Sequence, residues 1–130
     1  MSQIAMLHEK DPRDEILSKF QTVSKMQLCN NQVLCAVYIR PEKTKGGIVL
    51  ADQTRNEDRY QSKVGLIIAK GPDAFVDDSG RWFNGLEFKL HDWIVCRPSD
   101  GWSITVDGIL CRMLNDVDVR ARIDNPDQVY

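Results

Sequence analysis

Five short apolar runs follow one another along this chain: Val33 to Ile39, Val64 to Ala69, Trp93 to Cys96, Trp102 to Val106 and Ile109 to Leu114. Turn-rich segments such as DDSG and SDG separate them. Runs of strand length punctuated in this way predict an all-β body. A last segment is patterned more strictly, because Val117, Val119, Ala121 and Ile123 alternate with Asp116, Asp118, Arg120, Arg122 and Asp124. Strict period two predicts a strand with one apolar and one charged face. Such a strand near a terminus either closes its own sheet or lies along a neighbour's edge, and the pattern does not choose between them.

An arm precedes the β body. Asp11-Pro12-Arg13-Asp14-Glu15 offers an N-cap, a proline at the first helical position and acids in the first turn, followed by Ile16, Leu17, Phe20 and Val23 at helical spacing. An amphipathic helix from about Pro12 to Ser24 is predicted, within an arm of residues 1–27 ahead of a domain of residues 28–130. Its apolar face either covers the subunit's own β body, the more ordinary reading, or docks on a neighbour.

Residues 41–63 have a different character. Only Ile48, Val49, Leu50, Ala51 and Tyr60 are apolar there, and Gly46 and Gly47 stand directly before the Ile-Val-Leu triplet. A polar connection of this length inside a compact domain is functional or disordered as a rule. The glycines lack a Cβ, which lets the backbone hinge and lets a partner approach closely. GGIVL is therefore either a short buried strand reached through a Gly-Gly turn or an apolar bait on a mobile loop. As a bait, each side chain docked in a groove contributes roughly 1.5–3 kcal/mol, less the cost of ordering the loop. One loop binds weakly, and several loops on one ring bind through effective concentration.

Composition removes several classes of function. The 130 residues suit one ordinary domain, and 17 basic against 19 acidic side chains give a net charge of −2, with no basic footprint for nucleic acid or a membrane surface. Charges at Glu9, Lys10, Asp11, Arg13, Asp14 and Glu15 leave no apolar leader core, and no run approaches a membrane span. The expectation is a soluble, cytoplasmic chain. Cys29, Cys35, Cys96 and Cys111 form no CxxC pair, and the only histidines are His8 and His91, so no metal or cofactor is expected. Cys35, Cys96 and Cys111 sit in or beside apolar runs and read as reduced core residues. Asp77 and Asp78 belong to a turn signal, and His91 and Asp92, read as adjacent strand residues, point to opposite faces. No catalysis is expected. Phe75, Trp82, Phe83 and Phe88 read either as core packing, the more ordinary reading, or as an apolar rim.

The order of these segments carries a resemblance. NQVLCAVYIRPEKTKGGIVL from Asn31, KVGLIIAKG from Lys63, GPDAFVDDSGRWFNGLEFKLHDWIVC from Gly71 and DGILCRMLNDVDVRARI from Asp107 resemble, in order, the segments of the GroES-type, ten-kilodalton co-chaperonin family. The likeness runs from about Leu28 to Ile123. It implies a small GroES-like β-barrel with a mobile loop at about residues 41–63 and a roof hairpin at about residues 71–90. It further implies a homo-oligomer, a heptameric ring, whose loops bind a GroEL-type chaperonin and close its folding chamber, the ATPase belonging to that partner. The chaperonin-binding residues it implies are Gly46, Gly47, Ile48, Val49 and Leu50.

The sequence also departs from the family pattern. The arm of about 27 residues is additional, His91 stands where the family's VGD-like turn has glycine, and Trp93 replaces an aliphatic residue. Virus-encoded relatives depart in this general way, which makes the host cytoplasm or a virion the setting if the chain is phage-encoded. The alternative reading is a structural virion or assembly protein that reuses the barrel, with arm and loop as tethers.

Overall fold

The structure is a computed structural model that describes residues 6, 8, 10–41, 49, 52–76, 83 and 86–129. One antiparallel sheet dominates it. Its strands are β1 (Gln32–Val37), β2 (Val64–Lys70), β3 (Trp93–Val95), β4 (Trp102–Val106), β5 (Ile109–Asn115) and β6 (Ala121–Ile123), in the spatial order β4-β5-β1-β2-β3-β6. Two short helices, α1 (Pro12–Ser18) and α2 (Asp52–Gln61), accompany it, with 3-10 turns at Val23–Lys25, Asp116–Asp118 and Pro126–Gln128.

The central strand β1 pairs with β2 on one side and β5 on the other, and both of its faces are covered. Leu34, Ala36 and Tyr38 enter one cluster with Val64, Leu66 and Trp93. Val33 and Cys35 enter a second with Ile67, Ile94 and Leu114. Burial on both faces removes the polar alternation of a solvated strand, which is why this run reads as continuously apolar. Between Leu34 and Cys35 the register against β2 slips by one residue, so that Leu34 faces Ala69 and Cys35 faces Ile67. The close approach there depends on Gly65, where a Cβ would stand 2.7 Å from Cys35 Sγ. The strands β4 and β5 meet through a two-residue turn with Asp107 at φ +52° and Gly108 at φ +77°, the left-handed pair a tight hairpin needs.

The arm covers one face of this same subunit's sheet. Ile16, Leu17, Phe20, Val23 and Met26 are partly buried against the Leu34 and Trp93 cluster. A fully buried side chain of this size contributes about 1.5–3 kcal/mol, and these contribute less, so polar fastenings matter to how firmly the arm sits. The predicted cap is in place, with Asp11 Oδ1 accepting from Arg13 N at 2.8 Å and Pro12 opening the helix. The helix itself is shorter than predicted. Continuing it would commit the amides of Gln21 and Thr22 to carbonyls one turn back; instead both donate to Asp107 Oδ2 at 2.8 and 2.9 Å, and Thr22 Oγ1 donates to Asp107 Oδ1 at 2.7 Å. The β4–β5 turn thereby clasps the arm.

Three further expectations are corrected. The alternating segment from Asp116 to Asp124 is not one strand: Asp116–Asp118 is a 3-10 turn and only Ala121–Ile123 is extended. Asn115 and Asp118 form a capping box, and the buried Asp116 accepts from Asn31 Nδ2 at 3.0 Å and Phe75 N at 2.9 Å, while Val117 is exposed. Hydrogen-bonding demand overrides the polarity pattern. The connection 41–63 is not free of structure either, since its second half is α2. His91 lies in a turn at φ +73° rather than in a strand, with His91 N donating to Ile67 O at 2.7 Å and Asp92 accepting from Lys89 N at 2.9 Å. The described parts of residues 71–90 contain turns and no strand; the rest of the expected roof hairpin, including Asp77, Asp78 and Trp82, lies outside the described residues.

Candidate partner-docking site

The segment that sequence reading singles out leaves the sheet at the end of β1 and returns through α2. Of its five expected docking residues, Val49 is described and is 56% exposed. Gly46, Gly47, Ile48 and Leu50 lie outside the described residues. What the structure adds is the neck on either side of them.

Arg40 and Asp58 form that neck. Arg40 N and Nε donate to Asp58 Oδ2 at 3.1 and 3.0 Å, and Arg40 Nη2 donates to Asp58 Oδ1 at 2.9 Å. The Asp58 carboxylate is almost wholly shielded, at 3% exposure. A two-pronged guanidinium contact is the geometry that compensates a buried carboxylate, and removing one partner alone strands the other's charge. One turn earlier on the same helix face, Arg55 Nε donates to Arg40 O at 3.2 Å. One turn later, the buried Ser62 hydroxyl bonds to Tyr38 O at 2.8 Å. Positions 55, 58 and 62 share a helical face, so α2 is held to the end of β1 by polar contacts throughout. Sequence reading missed this helix because it looks for an apolar stripe, and the inward face of α2 has none. The available signals were subtler: no glycine or proline interrupts Asp52 to Lys63, Asp52 opens the helix and Arg59 stands in its last turn, which suits the helix dipole.

A cleft of about 390 Å³ lies beside the neck, with Ile16 of the arm, Val37, Tyr38 and Ile39 at the end of β1, and Arg55 and Arg59 of α2 in its walls. At its rim Tyr38 Oη donates to Asp127 Oδ1 at 2.5 Å, and His8 Nε2 lies 2.8 Å from Asp127 Oδ2. These contacts join the arm, the central strand and the Pro126–Gln128 turn.

Elsewhere the expected core residues are core. Cys35, Cys96 and Cys111 are buried. Burial pushes the Cys35 and Cys96 thiols up, against the opposing Arg112 guanidinium, and lifts Cys111 to about 12. They are protonated thiols at neutral pH, not nucleophiles. Arg112, itself buried, donates to Ser62 O at 3.3 Å and Cys96 Sγ at 3.4 Å. Phe75, Phe83 and Phe88 form one packed trio, with Phe75 and Phe88 stacked at 4.5 Å between centroids. Among the described residues no group of histidine, cysteine and acidic side chains is placed to hold a metal ion, and no helix is long and apolar enough to cross a membrane.

The chaperonin 10 kDa subunit family matches residues 25–123. The co-chaperonin GroES of Methylorubrum populi is 32% identical over 78 residues, which cover 60% of this chain and 75% of that protein. Members of the family are co-chaperonins and not enzymes. With all six strands of the described sheet inside the matched region, the chain belongs to the chaperonin 10 kDa subunit family.

Proposed function

We propose that this protein is a co-chaperonin that docks on a GroEL-type chaperonin ring through Ile48, Val49 and Leu50, with Gly46 and Gly47 shaping the segment. Family membership supports the class of function, and the observation that carries the site is Val49, whose backbone makes an isolated β-bridge while its apolar side chain is left exposed. An isolated hydrophobe needs no explanation; one flanked by Ile48 and Leu50 behind two glycines and outside the sheet is a docking tag.

In this reading the sheet closes into a GroES-like barrel, with residues 1–27 as an arm and 28–130 as the barrel domain. Seven copies form a ring in the cytoplasm whose tags reach the chaperonin rim and help enclose folding clients. Nucleotide hydrolysis belongs to the chaperonin.

Co-sedimentation with a GroEL-type ring and nucleotide tests it. Wild type is expected to pellet with the ring, and the double variant Ile48→Ser/Leu50→Ser to stay in the supernatant. A wild type that never pellets, or a double variant that pellets equally, sinks the proposal and favours a structural role for the same fold.

A further inference from the structure

We propose that the outer edge of β4 is a self-association surface: it pairs antiparallel with β4 of a second copy of this chain, about a two-fold axis at Ile104, so that two sheets become one. The contact lies apart from the docking segment and does not rest on the co-chaperonin reading.

The sheet ends in two edges of different chemistry. At one end β6 is three residues long, carries Arg122 and is flanked by Arg120 and Asp124, a short and charged edge of the kind that keeps other strands away. At the other end β4 reads Trp-Ser-Ile-Thr-Val, with no charge, no proline and an unbroken register against β5 from Trp102↔Met113 to Val106↔Ile109. None of these protections is present there, and among the described residues only β5 pairs with it.

The turn fixes which backbone groups stand open. Asp107 and Gly108, both at positive φ, make the tight hairpin in which the flanking residues, Val106 and Ile109, exchange both backbone hydrogen bonds. Alternation then directs the N–H and C=O of Ile104 and Val106 toward β5. Those of Ser103 and Thr105 point outward, and both residues are exposed.

A second copy of the same strand fits this pattern. With Ile104 opposite its counterpart, Ser103 of each copy faces Thr105 of the other, and the outward amides and carbonyls satisfy one another on both sides of the axis. Trp102, 58% exposed, continues the face on which Ile104 and Val106 pack into the Leu34 and Trp93 cluster. In the paired register it lies beside Val106 of the other copy in a non-hydrogen-bonded pair, the kind that brings side chains closest. An uncharged strand meets its own copy without repulsion and offers an acidic or basic partner nothing to recognise. Five residues a side fall well short of the roughly 20–30 of a stable interface, so the pairing is weak and grows with concentration. An isologous contact closes after two copies and cannot build the ring proposed above; it links subunits of separate assemblies.

Hydrogen exchange read by NMR along a dilution series of the full chain tests the pairing. Amides of Ile104 and Val106 are expected to stay protected throughout, while those of Ser103 and Thr105 gain protection as concentration rises, in step with the mass from light scattering. Thr105→Pro removes an outward amide without touching the β5 ladder and is expected to abolish both changes. Ser103→Lys/Thr105→Lys sets like charges opposite each other across the axis, whereas Ser103→Glu/Thr105→Lys sets opposite charges there; the second is expected to associate about tenfold more tightly than the first. That comparison reads the register itself, so it decides the matter should Thr105→Pro fail to fold. Ser103 and Thr105 amides that exchange freely at every concentration overturn the proposal, as do equal affinities of the two charge variants. Protection that appears only when a GroEL-type ring is added overturns it too and assigns the edge to the chaperonin.

Discussion

Asp116 shows how one side chain can set a local fold against the pattern of its neighbours. It joins three segments, because its carboxylate accepts from Asn31 Nδ2 and Phe75 N while its own amide donates to Asn31 O at 3.0 Å. Phe75 is held at φ +62°, an unfavourable region for a bulky residue, and the Asp116 bond with the Phe88 stack holds it there. Asp116→Ala leaves two donors without their acceptor and is expected to cost about 3 kcal/mol, read as a lowered urea midpoint with unchanged slope. At His91 the direction is opposite. A non-glycine residue at φ +73° carries about 1–2 kcal/mol of backbone strain, and glycine's extra freedom in the unfolded chain offsets part of that. His91→Gly is expected to stabilise by about 0.5–1 kcal/mol in thermal or urea unfolding. His91→Ala keeps the Cβ and is expected to give no such gain, which separates backbone strain from any effect of the ring.

At the scale of elements, the arm and the β4–β5 hairpin are coupled through Asp107. Hydrogen bonds from the Thr22 amide, the Gln21 amide and the Thr22 hydroxyl hold its carboxyl below the usual carboxylate range. A depressed folded value means that the clasp's contribution is complete above the unfolded value of about 3.9 and is lost as pH falls through the lower folded one. The amide resonances of Gln21 and Thr22 should therefore titrate together with a midpoint below about 3.9, and a midpoint at or above it would contradict the clasp. Asp107→Asn suits the same left-handed turn before Gly108 but weakens the acceptor, so it should loosen the arm at neutral pH while leaving the hairpin intact, as hydrogen exchange over residues 12–26 would show. These couplings also mark what sequence could reveal. The five apolar runs became β1 to β5 because burial on one or both faces leaves a direct trace in residue type. The end of α1, the 3-10 turn at Asp116 and the helix α2 left no such trace, since each is fixed by side chains distant in sequence: Asp107 lies 85 residues from Thr22, and Asp58 lies 18 from Arg40. Polarity patterns record burial, not which amide a carboxylate will take. The proposed docking tag rests on GGIVL in the sequence; the contacts between Arg40 and Asp58 beside it left no trace there.

For the whole molecule, magnitudes decide how the proposed docking must work. Three apolar side chains buried in a groove contribute at most about 5–9 kcal/mol together. Fixing the backbone of the five residues Gly46 to Leu50 alone costs roughly 1–2 kcal/mol each. The two nearly cancel, so a single chain should bind a chaperonin ring weakly. Useful capture then depends on several tags acting from one assembly, where later contacts form at an effective concentration set by the assembly. Assembly and docking are thus expected to fail together. Light scattering along a dilution series gives the mass of the free protein, and co-sedimentation at the same concentrations gives binding; the two curves should fall over the same range. Adding urea at levels below unfolding, or any substitution that lowers the mass without disturbing the sheet, should move both curves by the same amount. Binding that persists when the protein is monomeric would show that one tag suffices, and the energetic case for a ring would then have to be replaced by a single strong contact that Ile48, Val49 and Leu50 do not supply.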